Sequence, residues 1–233
     1  MLYYARQHIE QDDLDAVCEV LKSPTLTQGK KLVEFEKEVS KKVNAKYSVA
    51  VNSATSALHL ACIALDLQAE DILWTSSISF VASANCGIYC NAKVDFIDID
   101  PKNGLISIPI LKDKLKQAAS SNRLPKILIP VHLAGASCDM EAIHKLSLEY
   151  GFKIIEDASH AVGGYYKNHP VGSCQFSDIT VFSFHPVKII TTGEGGMALT
   201  NSEPLFKKIA MLRGHGINSV SYTHLRAHET TDN

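Results

Sequence analysis

The stretch PKILIPVHLAGASCDMEAIHKLSLEYGFKIIEDAS, residues 125–159, contains two apolar runs separated by a segment with helical spacing. The runs at 125–135 and 152–159 are rich in aliphatic residues without polar alternation, which is typical of strands buried on both faces. The segment between them begins at Asp139, a helix-capping residue, and ends at Gly151, a helix-terminating one. A strand, a helix and a second strand in succession predict an α/β fold with a parallel sheet.

The same apolar, β-branched pattern recurs five more times. These runs are YSVAVNS (47–53), DILWTSS (71–77), AKVDFIDI (92–99), DITVFSF (178–184) and GGMALTN (195–201). Residues 53–65 read as a helix with Ser and Thr at its start, and residues 25–43 read as a loop leading into an amphipathic helix. The whole pattern predicts a mostly parallel seven-stranded sheet between helices.

Composition narrows the class of protein. The chain has 233 residues with 23 basic and 25 acidic side chains, so its charge gives no reason to expect nucleic acid or an anionic membrane as partner. No stretch reaches the roughly 20 apolar residues of a membrane span, and no secretory signal is read at the start. The six cysteines are scattered, which favours neither a disulfide framework nor a metal site. We therefore expect a cytoplasmic protein without a metal.

Polar residues follow several predicted strands, in NSATSA, EDASH and SFHPVK. Ligands of such sheets bind beyond the carboxyl ends of the strands, so a site is predicted there. Lys188 lies in SFHPVKIITTGEGG, 183–196, and taken alone could be an ordinary surface lysine. In a partly apolar site, however, its pKa would fall, and its neutral amine could form a Schiff base with a carbonyl. Pyridoxal phosphate (PLP) enzymes hold their cofactor with such an amine.

PLP makes further demands that the sequence can meet. Its ring nitrogen needs a carboxylate partner, and Asp157 at the end of KIIED is the candidate, although a strand-end acid can also be a helix cap. Its phosphate needs amides and hydroxyls at a helix N-terminus. Ala54 and Thr55 at the start of a predicted helix offer these, and Ser183 could add a hydroxyl. An ordinary capped helix is the alternative.

The PLP ring also needs side chains against its faces. Phe80 in SISFVASAN and His160 in EDASHAVGG both follow strand ends, although either could serve only in packing. The joint presence of a phosphate turn, an aromatic residue, an aspartate and a lysine, in this chain order, favours a PLP site over the separate explanations.

The sequence resembles the DegT/DnrJ/StrS-type sugar-nucleotide aminotransferases, a family of fold type I PLP enzymes. The resemblance runs from about residue 3 to about residue 217, and its stretches are LTQG, VNSATSALHLA, SISFVASAN, DIDP, PVHLAG, IIEDASHAVGGYY, VFSFHPVKIITTGEGGMALTN and LRGHGI. Within the family, SISFVASANC, AKVDFIDIDP and FSFHPVKIITTGEGG are most similar to transaminases of pseudaminic acid biosynthesis. One departure is Ser77, where the family often has proline.

The resemblance implies roles for these residues. Lys188 becomes the Schiff-base lysine and proton carrier, and Asp157 the partner of the pyridinium nitrogen. His160 lies beside the ring and completes the catalytic set, while Phe80 stacks on it. The implied phosphate ligands are Ala54, Thr55 and Ser183.

The implied reaction moves an amino group from glutamate to the 4-keto carbon of a UDP-linked 2-acetamido-2,6-dideoxy hexos-4-ulose, in a homodimer whose partner subunit completes the site. Three alternatives stay open. The first is an aminotransferase for a different 4-keto or 3-keto sugar. The second is a sugar dehydratase of the family, although these carry histidine in place of the lysine. The third is a non-catalytic PLP-binding fragment.

Length predicts the domain organisation. Enzymes of this type continue for more than a hundred residues beyond LRGHGI into a small C-terminal domain. We therefore expect residues 1–218 to form the PLP-binding large domain without that small domain. Residues 219–233 are polar and lack helix or strand spacing, so we expect a non-native or disordered tail. A chain of this extent is expected to be poorly soluble or inactive, because apolar surface would be exposed.

Overall fold

A seven-stranded sheet lies at the centre of the computed structural model, which describes residues 6–217. Its strands are β1 (Tyr47–Val51), β2 (Ile72–Ser76), β3 (Lys93–Ile97), β4 (Ile127–Ile129), β5 (Lys153–Asp157), β8 (Ile179–Ser183) and β9 (Gly196–Thr200). The order across the sheet is β1-β9-β8-β5-β4-β2-β3. Strand β9 runs antiparallel to both of its neighbours, and the remaining pairs of this sheet are parallel. All seven predicted strands are therefore present, and the predicted mostly parallel sheet is confirmed.

Helices cover both faces of this sheet. They are α1 (Gln11–Leu21), α2 (Lys30–Val43), α3 (Ala54–Ala64), α4 (Ala82–Tyr89), α5 (Ile108–Ser120), α6 (Met140–Tyr150) and α7 (Glu203–Arg213). Helices α3, α4 and α7 pack on one face, and α2, α5 and α6 pack on the other. The prediction of a sheet between helices is confirmed.

Burial explains why the strands lack polar alternation. Ile127, Leu128 and Ile129 of β4 are all fully buried, because successive side chains face the two helical layers in turn. Each such side chain contributes on the order of 1.5–3 kcal/mol by leaving water. The sequence pattern of 125–135 therefore reflects a central strand.

The ends of α6 lie where capping chemistry predicts them. Asp139 accepts a hydrogen bond from the Ala142 N–H at 3.2 Å, and Gly151 ends the helix with a φ of 81°. That left-handed conformation favours glycine. A second, two-stranded sheet of β6 (Tyr165–Tyr166) and β7 (His169–Pro170) was not predicted, because two residues are too few for a periodic signal.

Further findings on residues 6–217 bear on the expectations from composition. All six cysteines are free, and no helix in this range has the length and apolar character needed to cross a bilayer. The segment 219–233 lies outside the described residues, so its predicted tail character stays a prediction.

Candidate active site

The loops that follow β1, β2, β4, β5 and β8 meet around one cavity of about 310 Å³, at the carboxyl edge of the sheet. This volume is at the lower end of the range for small-molecule sites. Every residue assigned to the site from the sequence lines this cavity: Ala54, Thr55, Phe80, Asp157, His160, Ser183 and Lys188. The topology therefore brings together residues that are far apart in the chain.

Asp157 is the last residue of β5, and it is only 4% exposed. Its Oδ2 accepts a hydrogen bond from the Ser83 hydroxyl at 2.5 Å. Its Oδ1 accepts from the Ser159 hydroxyl at 2.6 Å and from the Ser159 N–H at 3.1 Å. A buried carboxylate is costly unless it is hydrogen-bonded, so these three donors hold it at a fixed place in the cavity wall.

Helix α3 presents its N-terminus to the same cavity. Ser53 caps the helix by accepting a hydrogen bond from the Ser56 N–H at 3.1 Å. Ala54 and Thr55 come next, and amides in a first helical turn have no carbonyl partner in their own helix. Together with the helix dipole and the Thr55 hydroxyl, they form a site suited to a phosphate.

Gly196 of β9 lies directly against this turn. A Cβ built on Gly196 would come within 2.3 Å of the Ser53 carbonyl carbon and 2.4 Å of the Ala54 nitrogen. These are backbone atoms that cannot rotate away, so the turn can take its position only because residue 196 has no side chain.

Replacing Gly196 by alanine is therefore expected to displace the Ser53–Ala54 turn. Overpacking of this kind costs about 1–3 kcal/mol, which corresponds to roughly 5- to 150-fold weaker PLP binding if the whole cost falls on the bound state. Titration of the purified variant with PLP measures this. Gly214→Ala is the matched control, because the nearest atoms to its added Cβ in the described part of the chain are Met211 O at 3.5 Å and Ala210 O at 3.7 Å. Equal affinities for both variants would contradict the account.

Lys188 is half-buried in the loop after β8, and its backbone N–H donates to the His185 carbonyl at 2.9 Å. Burial lowers the pKa of the Lys188 ammonium, and the nearby Asp157 carboxylate opposes this without cancelling it. A lower pKa leaves a larger fraction of the amine neutral at a given pH, and the neutral amine is the nucleophile.

This pKa difference predicts selective acylation. In contrast to Lys188, the exposed Lys207 has a raised pKa because of its hydrogen bond with Glu203. In a brief reaction with an acylating reagent near neutral pH, Lys188 is expected to be modified faster than Lys207, although it is less exposed. Raising the pH should reduce the difference between the two modification rates, because Lys207 then also loses its proton. Mass spectrometry of the digested chain gives both rates, and faster modification of Lys207 would contradict a lowered Lys188 pKa.

His160 and Phe80 complete the residues assigned from the sequence. The His160 Nδ1 accepts a hydrogen bond from the Ala134 N–H at 3.3 Å. Burial lowers the pKa of His160, as does the charge of Lys188, while Asp157 acts in the opposite direction. The imidazole is thus favoured in its uncharged form. Phe80 lines the cavity and is 69% exposed, so most of its surface is open to contact with a ligand.

Other residues of the site were not identified from the sequence. Ser83 binds Asp157 from outside the cavity lining, and Ser159 binds it within the lining. His132, His185 and Glu194 also line the cavity. The sequence could have indicated the contact of Ser159 with Asp157, because Ser159 lies two residues after it in EDASH. It gave no indication of the contact of Ser83 with Asp157, since the two residues are 74 positions apart in the chain.

The arrangement suits PLP by its chemistry. The cavity is lined both by the N-terminus of α3, whose amides suit a dianion, and by a buried carboxyl group that suits a ring cation. A lysine with a lowered pKa lies on the same cavity. Among residues 6–217, no group of three or more His, Cys, Asp or Glu side chains is placed to hold a metal ion.

Comparison with known proteins agrees with this site. The sequence profile of the DegT/DnrJ/EryC1/StrS aminotransferase family matches residues 7–230, and the chain belongs to that family. The chain is 43% identical over 217 residues to the UDP-4-amino-4,6-dideoxy-N-acetyl-β-L-altrosamine transaminase of Campylobacter jejuni. That match covers 93% of the chain and 56% of the relative, so the chain spans about half the length of such relatives.

Solved structures show the same fold. Helicobacter pylori PseC, described as an aminotransferase involved in the biosynthesis of pseudoaminic acid, superposes with a TM-score of 0.86 at 33% identity. The match covers 95% of this chain and 58% of that one. A putative sugar aminotransferase from Streptococcus pneumoniae, in its PLP form, matches with a TM-score of 0.80 at 26% identity, covering 91% and 57%. The expected fold class, a fold type I PLP-dependent transferase large domain, is confirmed.

Proposed function

We propose that this chain is the PLP-binding part of an aminotransferase for a UDP-linked sugar. In this reaction, the amino group of glutamate reaches the 4-keto carbon of a 2-acetamido-2,6-dideoxy hexos-4-ulose, a step of pseudaminic acid biosynthesis. One observation carries the proposal: Lys188, with its lowered pKa, lines the same cavity as the buried Asp157 and the N-terminus of α3. The names of the Campylobacter and Helicobacter relatives support the choice of sugar.

The residues of the cavity fit PLP in defined places. Ala54 and Thr55 would hold the phosphate with their amides, and Ser183 would add a hydroxyl. Asp157 would keep a proton on the ring nitrogen, and its hydrogen bonds to Ser83 and Ser159 fix the carboxylate in place. When bound, PLP supplies an electron sink for the carbon that carries the amino group.

Side chains on the ring faces would orient PLP. Phe80 is largely exposed and would be available for stacking, and His160 lies on the cavity wall with its Nδ1 already accepting from the Ala134 N–H. An uncharged His160 avoids placing a second positive charge beside a protonated ring. The site would therefore hold the reacting carbon in one orientation relative to Lys188.

Lys188 would act twice. Its neutral Nζ would bond covalently to PLP and so retain it in the cavity. With glutamate in the site, the same Nζ would be the base that accepts the proton of the glutamate α carbon. With the keto sugar in the site, the Nζ would carry a proton in the reverse direction. A group with a pKa near the working pH can do both, and burial moves Lys188 toward that range.

The proposed assembly is a homodimer. Phe80 and Val187 line the cavity, and the neighbouring Ile78 and Ile189 are 47% and 64% exposed, so apolar surface adjoins residues of the site. Such surface supports a contact with a second subunit. Size-exclusion chromatography with light scattering tests this, and a monomeric, fully active protein would contradict it.

The test of function uses the chain joined to the remaining C-terminal part of the Campylobacter jejuni relative. The joined protein is incubated with glutamate and a panel of UDP- and GDP-linked 4-keto sugars, and products are identified by mass spectrometry and NMR. We expect amination of the UDP-linked 2-acetamido-2,6-dideoxy sugar. Preference for another sugar would keep the assignment to the family and change the assigned substrate. Bound PLP without conversion of any 4-keto sugar nucleotide would contradict the proposal.

A further inference from the structure

A hydrogen-bonded cluster lies next to Asp157 on the opposite face of the sheet. Glu156 precedes Asp157 in β5, and successive side chains of a strand point to opposite faces. The Glu156 carboxylate is buried and accepts hydrogen bonds from His132 Nε2 at 2.8 Å, from Thr180 Oγ1 at 2.9 Å and from the Ser177 hydroxyl. None of these contacts is needed by the proposed chemistry.

The proton on the His132 ring can be placed from its neighbours. The Cys138 backbone N–H donates to His132 Nδ1 at 3.2 Å, so Nδ1 presents a lone pair. The ring proton therefore lies on Nε2, where it is donated to Glu156. Burial alone would raise the pKa of Glu156, but the hydrogen bond and charge of His132 and the hydrogen bonds from Ser177 and Thr180 lower it below its ordinary value. Burial lowers the pKa of His132, but its hydrogen bonds with Cys138 and Glu156 and the Glu156 charge raise it to about 10. The bond from the Cys138 N–H opposes a second ring proton, because an Nδ1–H would point at that donor.

The loop held by His132 reaches the cavity. Its first residue is tied to β5, because the His132 N–H donates to the Asp157 carbonyl at 3.0 Å. Its far end is tied by the bond from Cys138 to the His132 ring. Between them, Ala134 has a φ of 53°, which is a left-handed conformation. This conformation costs an alanine free energy, so it persists only where the surrounding structure holds it. The Ala134 N–H, aimed by that conformation, is the one that donates to His160.

We propose that His132 is a positioning residue whose Nδ1, by accepting from the Cys138 N–H, holds the loop 132–138 in this conformation and thereby orients the His160 ring in the cavity. The link to catalysis rests on the proposed function, which assigns His160 to the cofactor ring. The link from His132 to His160 rests on the hydrogen bonds alone. A buried carboxylate and imidazole give little net stability compared with an apolar pair of the same size, which is consistent with a role in positioning.

Two substitutions test separately the contact of His132 Nδ1 with Cys138 and the contact of His132 Nε2 with Glu156. Asparagine in His132→Asn can place its amide oxygen near the position of Nδ1 and accept from the Cys138 N–H, but it does not reach Glu156. Glutamine in His132→Gln can donate to Glu156 but leaves the Cys138 N–H without an acceptor. A purely structural role of His132 would lower the melting temperature in both variants without a selective effect on His160.

The measurement is an NMR titration of the His160 ring in the chain without cofactor. Lys188 and Asp157 are the charged groups that face His160, and both variants retain them. In His132→Gln, the titration midpoint of His160 is expected to move upward, because Ala134 no longer stabilises the unprotonated Nδ1. In His132→Asn it should stay near the wild-type value. An unchanged midpoint in His132→Gln, or equal shifts in both variants, would overturn the proposal.

Amide exchange of the unsubstituted chain gives a test that does not depend on the folding of a variant. The Ala134 and Cys138 N–H groups are expected to be protected from exchange with deuterium in the folded chain. Exchange of either amide at the rate of an open loop would overturn the proposal. Neither measurement uses PLP, so failure of the proposed function would leave both results readable.

Discussion

Lys188→Ala is expected to lower the rate of amino transfer by about 10⁴-fold in the joined protein, because the substitution removes the group that moves the proton. The variant should still bind PLP, since the α3 N-terminus and Asp157 are unchanged, but the cofactor should wash out on dialysis. Rates of glutamate consumption in the presence of the keto sugar measure the first effect, and residual PLP after dialysis measures the second.

Lys207→Ala is the matched control, because Lys207 is exposed on α7 and its ion pair within residues 6–217 is with Glu203 of the same helix. It should retain wild-type activity. A Lys188→Ala protein that keeps more than about a tenth of wild-type activity would exclude Lys188 as the proton carrier, since positioned acid–base groups contribute at least 10²-fold.

Asp157→Asn is expected to lower the rate by about 10²-fold. A hydrogen bond to a charged group contributes up to about 3 kcal/mol, and 1.36 kcal/mol corresponds to a factor of ten in rate. Asparagine is nearly isosteric and its oxygen can still accept from Ser83 or Ser159, so the fold should be retained. What it removes is the negative charge that keeps the ring nitrogen protonated.

The control for this substitution is Asp113→Asn, an exposed carboxyl on α5. Circular dichroism should show equal secondary structure in both variants, and only Asp157→Asn should lose activity while retaining PLP. Full activity of Asp157→Asn would mean that the ring nitrogen does not need this carboxylate.

Much of the fold could be predicted from the sequence because burial acts on it directly. The central strands are buried on both faces, so Ile127, Leu128 and Ile129 form a continuous apolar run. The boundaries of α6 follow from the chemistry of Asp139 and Gly151. In contrast, β6 and β7 depend on pairing between two-residue segments, and nothing in their local sequence marks that pairing.

The candidate site could be predicted to the extent that its residues follow strand ends. Asp157 and Lys188 belong to this group, as does the helix start at Thr55. The supporting contacts could not be predicted, because they depend on how whole elements pack. The Ser83 hydroxyl reaches Asp157 only through the placement of α4 over the sheet, where the helix packs on β2 and β3. The contact between His132 and Glu156 depends on the path of the loop after β4.

The most direct test of the central claim is to locate where PLP attaches. The chain is incubated with PLP, the product is reduced with borohydride, and the digested protein is mapped by mass spectrometry. The account predicts one dominant modified residue, Lys188, with less modification when inorganic phosphate competes for the α3 N-terminus. Modification spread over surface lysines, or concentrated at another lysine while Lys188 stays free, would contradict it.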